Sequence, residues 1–488
     1  MRKIIYRTFI IILILISVSI LYLSVIGIKT DKFNSQIISK VKNFEPNLKL
    51  KLNDVSAKLN LFTFTIDAKT VGTDLIIKNK TIQLENIKSK ISLKSIINNQ
   101  FALSKIFIST KSVPIKELLG FIRLINKDPK LFIAEQFIDN GYVVADLKLE
   151  FNKNGKIKKN YKINGLVNSG QILLLKKKVS KLDFIFEITE NKFSFFDIKF
   201  LLNGKKITVP KLKALKQKKE FLVSGNFDND NTSLKKSDIK DLFENSFIKS
   251  NLKEILFSSD NNFSFKIDKN LKLKNFNIES IINLDKLRID NIFELKDFVP
   301  NIKKEIELKN QKIELKYNND KIEITGSGKI FLQKEADNVQ YKILKNKEDI
   351  FFDLNIKISK NPFLIKLINF EKDDKSILDL NFKGKFIEDK FFFEKILISE
   401  NKNSIFIKNL ELSKKNKVDD IERIEIDFVD NDKVQNIFKI KKGKKNYRIT
   451  GKSLNINKIV SDLLDAKDKG KKKFFNKDLN FIFDIKKI

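Results

Sequence analysis

The sequence of 488 residues contains no histidine, no cysteine and no tryptophan. Without histidine and cysteine the chain can form no His-based catalytic triad, no thiolate nucleophile, no disulfide and no typical zinc, copper or haem site. Carboxylate chemistry stays open, but the pairs Asp373-Asp374 and Asp419-Asp420 lie next to lysines in predicted turns, where a solvated charged loop is the commoner outcome. We therefore expect no enzyme activity, no cofactor and no metal.

Arginine is also scarce, although the formal net charge is +35. Bidentate recognition of phosphates and bases favours arginine, and no zinc-finger, RNP-like or helix-turn-helix signature accompanies the lysines. We therefore do not expect a nucleic-acid partner. The abundance of lysine fits A/T-rich codon usage, and a lysine-rich surface is attracted to anionic lipid headgroups by about 1 kcal/mol per residue. The arginines are Arg2, Arg7, Arg123, Arg288, Arg423 and Arg448.

Charged residues are absent from one long stretch near the N-terminus. The run from Phe9 to Ile26 is apolar apart from a few serines, and at about 1.5 Å per residue it can cross a hydrocarbon core of roughly 30 Å. Arg2, Lys3 and Arg7 precede the run, which predicts a cytoplasmic N-terminus. The alternatives are a buried core helix and a cleaved signal peptide, but the segment 24–27 matches a cleavage site poorly. We predict that residues 1–28 are a cytoplasmic tip and a transmembrane signal anchor.

The dominant pattern after the anchor is an alternation of apolar and polar residues, which is typical of half-buried β-strands. It first occurs at 48–52. Leu59 and Leu61 are followed by Phe62 and Phe64, a change of phase that predicts a β-bulge. The other alternating runs are 182–188, 263–267, 313–317, 352–358, 424–428 and 479–485.

Short links rich in Asn, Asp and Gly separate these runs. They predict antiparallel neighbours, because parallel strands need long crossovers. Predicted helices are few: one capped by Thr30 or Asp31 and closed by Pro46, and others that begin at Pro114, Ser237 and Ile456. The predicted turns are 152–155, 203–204, 229–231 and 318–320.

A glycine recurs inside strand-like segments, at Gly165, Gly225, Gly326, Gly384 and Gly451. The intervals, by subtraction, are 60, 101, 58 and 67 residues, which fits a unit of roughly 60 residues with one irregular gap. The alternative is that glycine only marks bends in an antiparallel sheet.

A sheet of this length has one large apolar face and few helices to cover it. Leaving ten phenylalanine side chains in water would forgo roughly 15–30 kcal/mol, more than the ~5–15 kcal/mol of net stability of a typical domain. The face must close on itself as a sandwich or barrel, or curl into a groove that acyl chains fill. The membrane anchor favours the groove, and an outer-membrane barrel is disfavoured because its signal should be cleaved.

The predicted fold is therefore mainly β: an elongated, curled antiparallel sheet with a few short amphipathic helices and one N-terminal transmembrane helix. We predict that residues 29–130 form the helix and strand region at the start of the groove. Residues 131–488 form the repeating antiparallel β-groove. The chain stops within an alternating strand, which suggests truncation at the C-terminus.

In layout the chain resembles the AsmA/TamB group of bacterial envelope proteins. The resemblance is carried by the anchor with the helix after it, by the segment 87–108 and by the late segment 449–464. It spans most of the chain in pattern, and no single motif in it is specific. It implies a periplasmic protein anchored in the inner membrane, with an apolar β-groove of the bridge-like lipid-transfer type connected with outer-membrane biogenesis.

The predicted function is carriage of phospholipid along this groove. The alternative is an envelope scaffold or an assembly factor for outer-membrane proteins, which pairs exposed sheet edges with partner strands. The expected partners are membrane phospholipids and the inner membrane, and in the alternative outer-membrane or envelope proteins. The side chains predicted to line the groove are Leu59, Leu61, Phe64, Phe184, Phe186, Phe263, Phe265, Ile313, Leu315, Phe352, Leu354, Ile424 and Ile426.

Overall fold

The structure is a computed structural model that describes residues 2–31, 34–44, 46–98, 100, 102–125, 129–174, 177–202, 204–218, 220–235, 252–268, 270, 272–291, 295–388, 390–413, 417–444, 446–457 and 480–487. The helices in these ranges are α1 (Arg2–Val25), α2 (Asn34–Phe44), α3 (Leu93–Ile97), α4 (Ile115–Ile125) and α5 (Pro129–Phe137), with a 3-10 turn at Lys366–Ile368.

Strands account for most of the described chain. The earlier ones are β1 (Ile28–Thr30), β2 (Leu48–Lys51), β3 (Val55–Asn60), β4 (Thr65–Val71), β5 (Asp74–Ile77), β6 (Lys80–Ser92), β7 (Leu103–Thr110), β8 (Val113–Pro114), β9 (Ile138–Glu150), β10 (Lys162–Leu174), β11 (Lys177–Ile188), β12 (Lys192–Leu202), β13 (Lys205–Lys216) and β14 (Glu220–Lys235). The later ones are β15 (Leu252–Asp268), β16 (Leu273–Asp290), β17 (Glu305–Asn318), β18 (Lys321–Phe331), β19 (Asp337–Asn346), β20 (Asp349–Ile358), β21 (Leu364–Ile365), β22 (Phe370–Glu371), β23 (Leu378–Ile387), β24 (Lys390–Glu400), β25 (Asn403–Leu412), β26 (Val418–Val429), β27 (Gln435–Lys442), β28 (Tyr447–Ser453) and β29 (Phe481–Lys487).

The predicted fold class is confirmed. Among the residues that the structure describes, 27 strands belong to one mostly antiparallel sheet, and β21 and β22 form a separate ribbon. The described strands do not close into a barrel. The helices are few, and α1 is long and apolar enough to span a membrane.

The chain divides into two compact units. The first comprises Met1–Phe227 and Lys266–Leu273, and the second comprises Asp228–Phe265 and Lys274–Ile488. In the first unit the described pairings give the series β1, β3, β4, β6, β7, β9, β10, β11, β12 and β13. In the second unit they give β16, β17, β18, β19, β20, β23, β24, β25, β26, β27, β28 and β29.

Two of the predicted helices are confirmed. The helix predicted between Asp31 and Pro46 is α2. The one that begins after Pro114 is α4, whose Phe121 is buried against Ile82 and Leu84. The helices predicted from Ser237 and Ile456 fall on 236–250 and 458–479, outside the described residues, apart from the first residues of the latter.

Some local predictions were wrong. The phase change after Leu61 is not a bulge but the turn 61–64, because Asn60 Oδ1 accepts the N–H of Thr63 at 3.1 Å and so folds the chain into a hairpin. The predicted turn 229–231 lies inside β14. There Asn231 adopts a φ of 43°, and its N–H donates to Ser258 Oγ of β15 at 3.1 Å.

A further wrong prediction concerns β29, which was expected to be a half-buried antiparallel strand. It pairs with β28 in parallel, and Phe481, Ile482 and Phe483 are all exposed although successive residues point to opposite faces. The chain between the two strands, 454–480, is long enough for the crossover that a parallel pair requires. The predicted boundaries after residues 28 and 130 stay predictions; the second falls within α5.

Candidate functional site

Apolar side chains of the second unit stand directly opposite one another across neighbouring strands. Opposite residues share one face of a sheet, so a series of such pairs makes a continuous apolar strip. One series crosses seven neighbouring strands, β19, β20 and then β23 to β27, and each member is at most 8% exposed. We call it the buried row: Val339, Ile356, Leu380, Ile398, Ile405, Ile426 and Phe438.

A second series lies beside the buried row on the same strands and the same face, and it is less well covered. Ile396 belongs to this series and is buried, but the other members are only half-buried. When an apolar ligand covers half-buried apolar surface, binding is favoured by about 25 cal/mol per Å² of apolar area removed from water. We call these members the half-buried row: Tyr341, Leu354, Phe382, Ile407, Ile424 and Ile440.

One end of this face is covered by the segments 295–304 and 361–371, and the second segment contains the ribbon β21 and β22. We call these two segments the cover. Val299, Phe363 and Phe370 pack in one cluster with the buried row. The ring of Phe370 meets the ring of Phe428, which is 1% exposed, edge to face at a centroid distance of 5.3 Å. A hydrogen bond from the N–H of Leu364 to the carbonyl of Phe298, at 3.0 Å, joins the two segments of the cover.

Below the cover the apolar face ends in a buried polar network. Asn361 Nδ2 donates to Asp337 Oδ2 at 2.7 Å, and the N–H of Ser359 donates to Asp337 Oδ1 at 3.3 Å. Burial raises the pKa of Asp337, and the hydrogen bonds only partly offset that effect. Burial also raises the pKa of Tyr341, in the half-buried row, to about 12. Both shifts have the same physical cause, since burial disfavours the charged form of each group.

Away from the cover the same face is open and lined by phenylalanine. Along β20 the inward side chains change from fully buried Ile358 to half-buried Phe352. The rings of Phe352 and Phe393 lie 5.6 Å apart, and those of Phe386 and Phe391 lie 4.8 Å apart. All four phenylalanines are half-buried. The open end is therefore an aromatic, partly solvated surface.

Four of the five recurring glycines stand opposite an aromatic side chain of a neighbouring strand. A Cβ built on Gly326 would lie 2.4 Å from the ring of Tyr341, and one built on Gly165 would lie 2.5 Å from the ring of Phe186. The glycines thus leave room for a ring to lie over the backbone. The directly opposed pairs are Gly165 with Phe186, Gly326 with Tyr341, Gly384 with Phe352, and Gly451 with Phe438.

The first unit has a comparable apolar face on β9 to β13. The rings of Phe184 and Phe195 meet at 5.7 Å, and Phe186 stands opposite both Gly165 and Phe195. Helices α4 and α5 contact β6, β8, β9 and β10. They therefore lie over the beginning of this face, and its aromatic residues on β11 and β12 are mostly half-buried. One row of directly opposed residues is Leu147, Ile163, Ile188, Phe193 and Ala214.

Most of the predicted lining residues lie on these faces, although a role in a groove stays a prediction. In the second unit Leu354 and Ile424 belong to the half-buried row and Ile426 to the buried row. Leu315 stands opposite Ile324, Ile324 stands opposite Ile343, and Ile343 stands opposite Phe352. Ile313 stands opposite Gly326, which stands opposite Tyr341. Phe263 stacks on Phe265, which contacts Phe276, and that ring contacts Tyr317.

In the first unit Phe184 and Phe186 lie on the apolar face, and Leu59 stands opposite Ile66. The exceptions are Leu61 and Phe64. Both belong to the turn 61–64, are about half exposed and lie outside the strands, so their placement on a strand was wrong.

Several residues of the face were missed from the sequence because bulges change the phase of alternation. In β24 the inward residues are Phe391 and Phe393 and then Ile396 and Ile398, since the register shifts beside Gly384. The repeated glycines were the one available signal for the positions of opposed aromatic rings.

The opposite face of the first unit is charged. Lys58, Asp67, Lys90, Lys105 and Glu150 form a row of directly opposed residues across β3, β4, β6, β7 and β9. Asp419 and Asp420, predicted to lie in a turn, lie in β26, where Asp420 pairs with Lys442 at 2.5 Å. Among the described residues, no group of acidic side chains could hold a metal ion.

Glu150 makes stability depend on pH. A hydrogen bond from Asn160 at 2.8 Å, with contacts from Lys148 and Lys105 at 3.1 and 3.2 Å, lowers the pKa of its carboxyl group from 4.5 to about 2. A lowered folded-state pKa stabilises the protein above the unfolded pKa, and this stabilisation is lost as the pH falls from about 4.5 towards about 2. We expect Glu150→Gln to cost at most about 1 kcal/mol at pH 7, since solvent screens such pairs.

The measurement is the thermal midpoint of the full chain in detergent at several pH values between 7 and 3. The difference between the wild type and Glu150→Gln should shrink as the medium becomes more acidic. A difference that is constant across this range would contradict the assignment.

No family model, curated protein or solved structure matches this chain.

Proposed function

We propose that this protein is anchored in the bacterial inner membrane by α1, extends into the periplasm, and carries phospholipid on the apolar faces of its sheet in outer-membrane biogenesis. The observation that carries the proposal is the half-buried row with the phenylalanines beside it. This is an ordered apolar surface on an open sheet that the described helices and loops do not cover.

The dimensions of the rows suit an acyl chain. Neighbouring strands lie about 4.8 Å apart, so a row across seven strands offers roughly 29 Å of apolar surface in the direction that crosses the strands. The hydrocarbon core of a bilayer is roughly 30 Å thick and contains two opposed layers of acyl chains. One row therefore accommodates at least one extended acyl chain. The headgroup would remain in solvent.

Carriage of lipid from a membrane also explains why the chain combines a membrane anchor with a large open sheet. A protein that moves lipid must keep one end of its apolar surface at a membrane, and α1 is joined to the sheet of the first unit by only two residues before β1. The layout also resembles that of the AsmA/TamB group, to which the same role is attributed.

One observation favours a second candidate, an envelope scaffold or assembly factor for outer-membrane proteins. Among the described residues β29 pairs only with β28, so its other side is an edge, and it exposes Phe481, Ile482 and Phe483. An exposed apolar edge strand is a template for a strand from another protein.

A matched pair of neighbouring residues tests the lipid proposal. Phe352 faces the half-buried row, whereas Phe351 points to the other face of the same strand and is 39% exposed. We expect a photocrosslinker at position 352, in the full chain in membranes with radiolabelled phospholipid, to become labelled severalfold more than one at 351. The reason is that only position 352 would contact acyl chains.

Equal labelling at 351 and 352, or none at either, would overturn the lipid proposal. The same crosslinker at Ile482 separates the two candidates. Adducts with other proteins there, combined with no lipid at 352, would favour the assembly factor.

A further inference from the structure

The turn between β3 and β4 presents apolar side chains to the surroundings. Phe62 is 104% exposed, and Leu61 and Phe64 are about half exposed. Helix α3 adds Ile96 and Ile97, the latter 72% exposed. We call these five residues the apolar tip. Clustered exposed apolar side chains of this kind mark interaction surfaces.

The apolar tip is built as an ordered element. The N–H of Leu93, at the start of α3, donates to the carbonyl of Phe64 at 3.1 Å, which joins the helix to the turn. Ser92 caps α3 by accepting the N–H of Ser95 at 3.2 Å. Thr63 and Thr65 are bonded to each other through their hydroxyl groups at 2.7 Å. The exposed side chains are therefore held in place by their backbone.

The chain path brings the tip back to the end of α1. After α1, Gly27 takes a φ of 75° and lets the chain continue directly into β1. Strand β3 is antiparallel to β1, with Ile28 opposite Ala57, so β3 runs towards α1 and the turn passes beyond Ile28. Lys58 Nζ donates to the carbonyl of Val25 at 3.0 Å, which ties β3 to the last turn of α1.

A cavity of about 520 Å³ shows that the tip and the helix end lie at the same level. Ser24 of α1 lines it together with Leu61 and Phe62 of the turn. Four lysines and Asp67 are also among its lining residues, and Asp67 Oδ2 lies 3.9 Å from Lys90 Nζ. The four lysines are Lys58, Lys69, Lys88 and Lys90.

We infer that the apolar tip is a second membrane contact, which inserts into the interfacial region of the leaflet where α1 ends, with anionic phospholipid headgroups against the four lysines. This inference rests on the anchoring of α1 in the proposed function. A membrane is the occupant because the tip is continuous with the end of an apolar helix long enough to span one. Excess positive charge beside exposed Phe and Ile side chains is the composition that favours an anionic interface.

Because the chain has no tryptophan, each substituted chain has a single tryptophan, whose emission can be excited selectively at wavelengths that the seven tyrosines do not absorb. The probes are Phe62→Trp in the tip, Leu13→Trp in α1 and Ile185→Trp, an exposed apolar position of the first unit on β11. Each full chain is reconstituted into vesicles of phosphatidylcholine and phosphatidylglycerol, with and without brominated acyl chains. We expect bromolipid to quench about half of the Phe62→Trp emission, since interfacial aromatic side chains lie at headgroup level, and to leave Ile185→Trp unchanged.

Quenching of Leu13→Trp without quenching of Phe62→Trp would overturn the second contact and leave the anchor intact. A shift of Phe62→Trp emission to shorter wavelength without bromolipid quenching would show that the tip is buried against protein, here another copy of the chain, and would also overturn it. Failure to quench Leu13→Trp would refute the anchor on which both proposals depend. Lipid crosslinking at position 352 remains a separate measure of carriage.

Discussion

Phe428→Ala is expected to lower the free energy of unfolding of the second unit by about 3–5 kcal/mol, the usual cost of removing a buried ring. Phe428 is 1% exposed and meets Phe370 edge to face. The polar contacts of the cover limit its collapse into the cavity, because Asn431 Nδ2 donates to Glu371 Oε2 at 2.8 Å and the N–H of Asn431 to the carbonyl of Asn369 at 3.2 Å. Urea-dependent hydrogen exchange of peptides from β22 and β26 measures the effect in the full chain.

The matched control is Val429→Ala, one residue further on. Val429 is exposed on the opposite face, so this substitution should cost less than about 0.5 kcal/mol. Similar losses from the two substitutions would contradict the assignment of the inward face at the covered end.

The amount of this fold that the sequence predicts depends on how local each feature is. Alternation is local, and it predicts β11, β17, β20 and β26 together with their apolar side. It fails at β24, where a register shift lies between Phe393 and Ile396. Because of this shift, odd-numbered residues point inward before it and even-numbered residues after it.

The cover of the second unit could not be predicted for a different reason. The residues 295–304 and 361–371 follow neither a period of two nor a helical period, and they are positioned by contacts with distant residues such as Phe428. The apolar tip was misassigned because the side chain of Asn60, not hydrophobic pattern, decides that 61–64 is a turn.

The repeated glycines are an intermediate case. Their recurrence is visible in the sequence, but the aromatic residue opposite each one depends on strand register. Gly326 and Tyr341 are fifteen positions apart, by subtraction of their numbers, whereas Gly384 and Phe352 are thirty-two apart with the ribbon between them. No fixed spacing could therefore have identified these pairs.

Because Gly326 stands opposite Tyr341, we expect the effect of Gly326→Ala on stability to change sign when the Tyr341 ring is removed. Gly326→Ala should destabilise the wild-type chain by about 1–3 kcal/mol, since its Cβ would overlap the ring of Tyr341 in a packed face. All three of the nearest atoms belong to the side chain of Tyr341, and the φ of Gly326 is not left-handed. In a Tyr341→Ala background the overlap is gone, and Gly326→Ala should stabilise by about 0.5–1 kcal/mol, because alanine loses less backbone freedom than glycine on folding.

Gly165 provides the contrasting control, because a Cβ there would lie 2.3 Å from the backbone carbonyl oxygen of Val144 as well as against the ring of Phe186. Removing that ring with Phe186→Ala leaves the backbone contact, so Gly165→Ala should destabilise both with and without the ring. Hydrogen exchange of peptides from β10 and β18 in the four single and two double variants measures both cycles. Loss of stability on Gly326→Ala in the Tyr341→Ala background would show that something other than the ring requires glycine at position 326. Rescue of Gly165→Ala by Phe186→Ala would show that the strand backbone moves at a place where we expect its pairing to fix it.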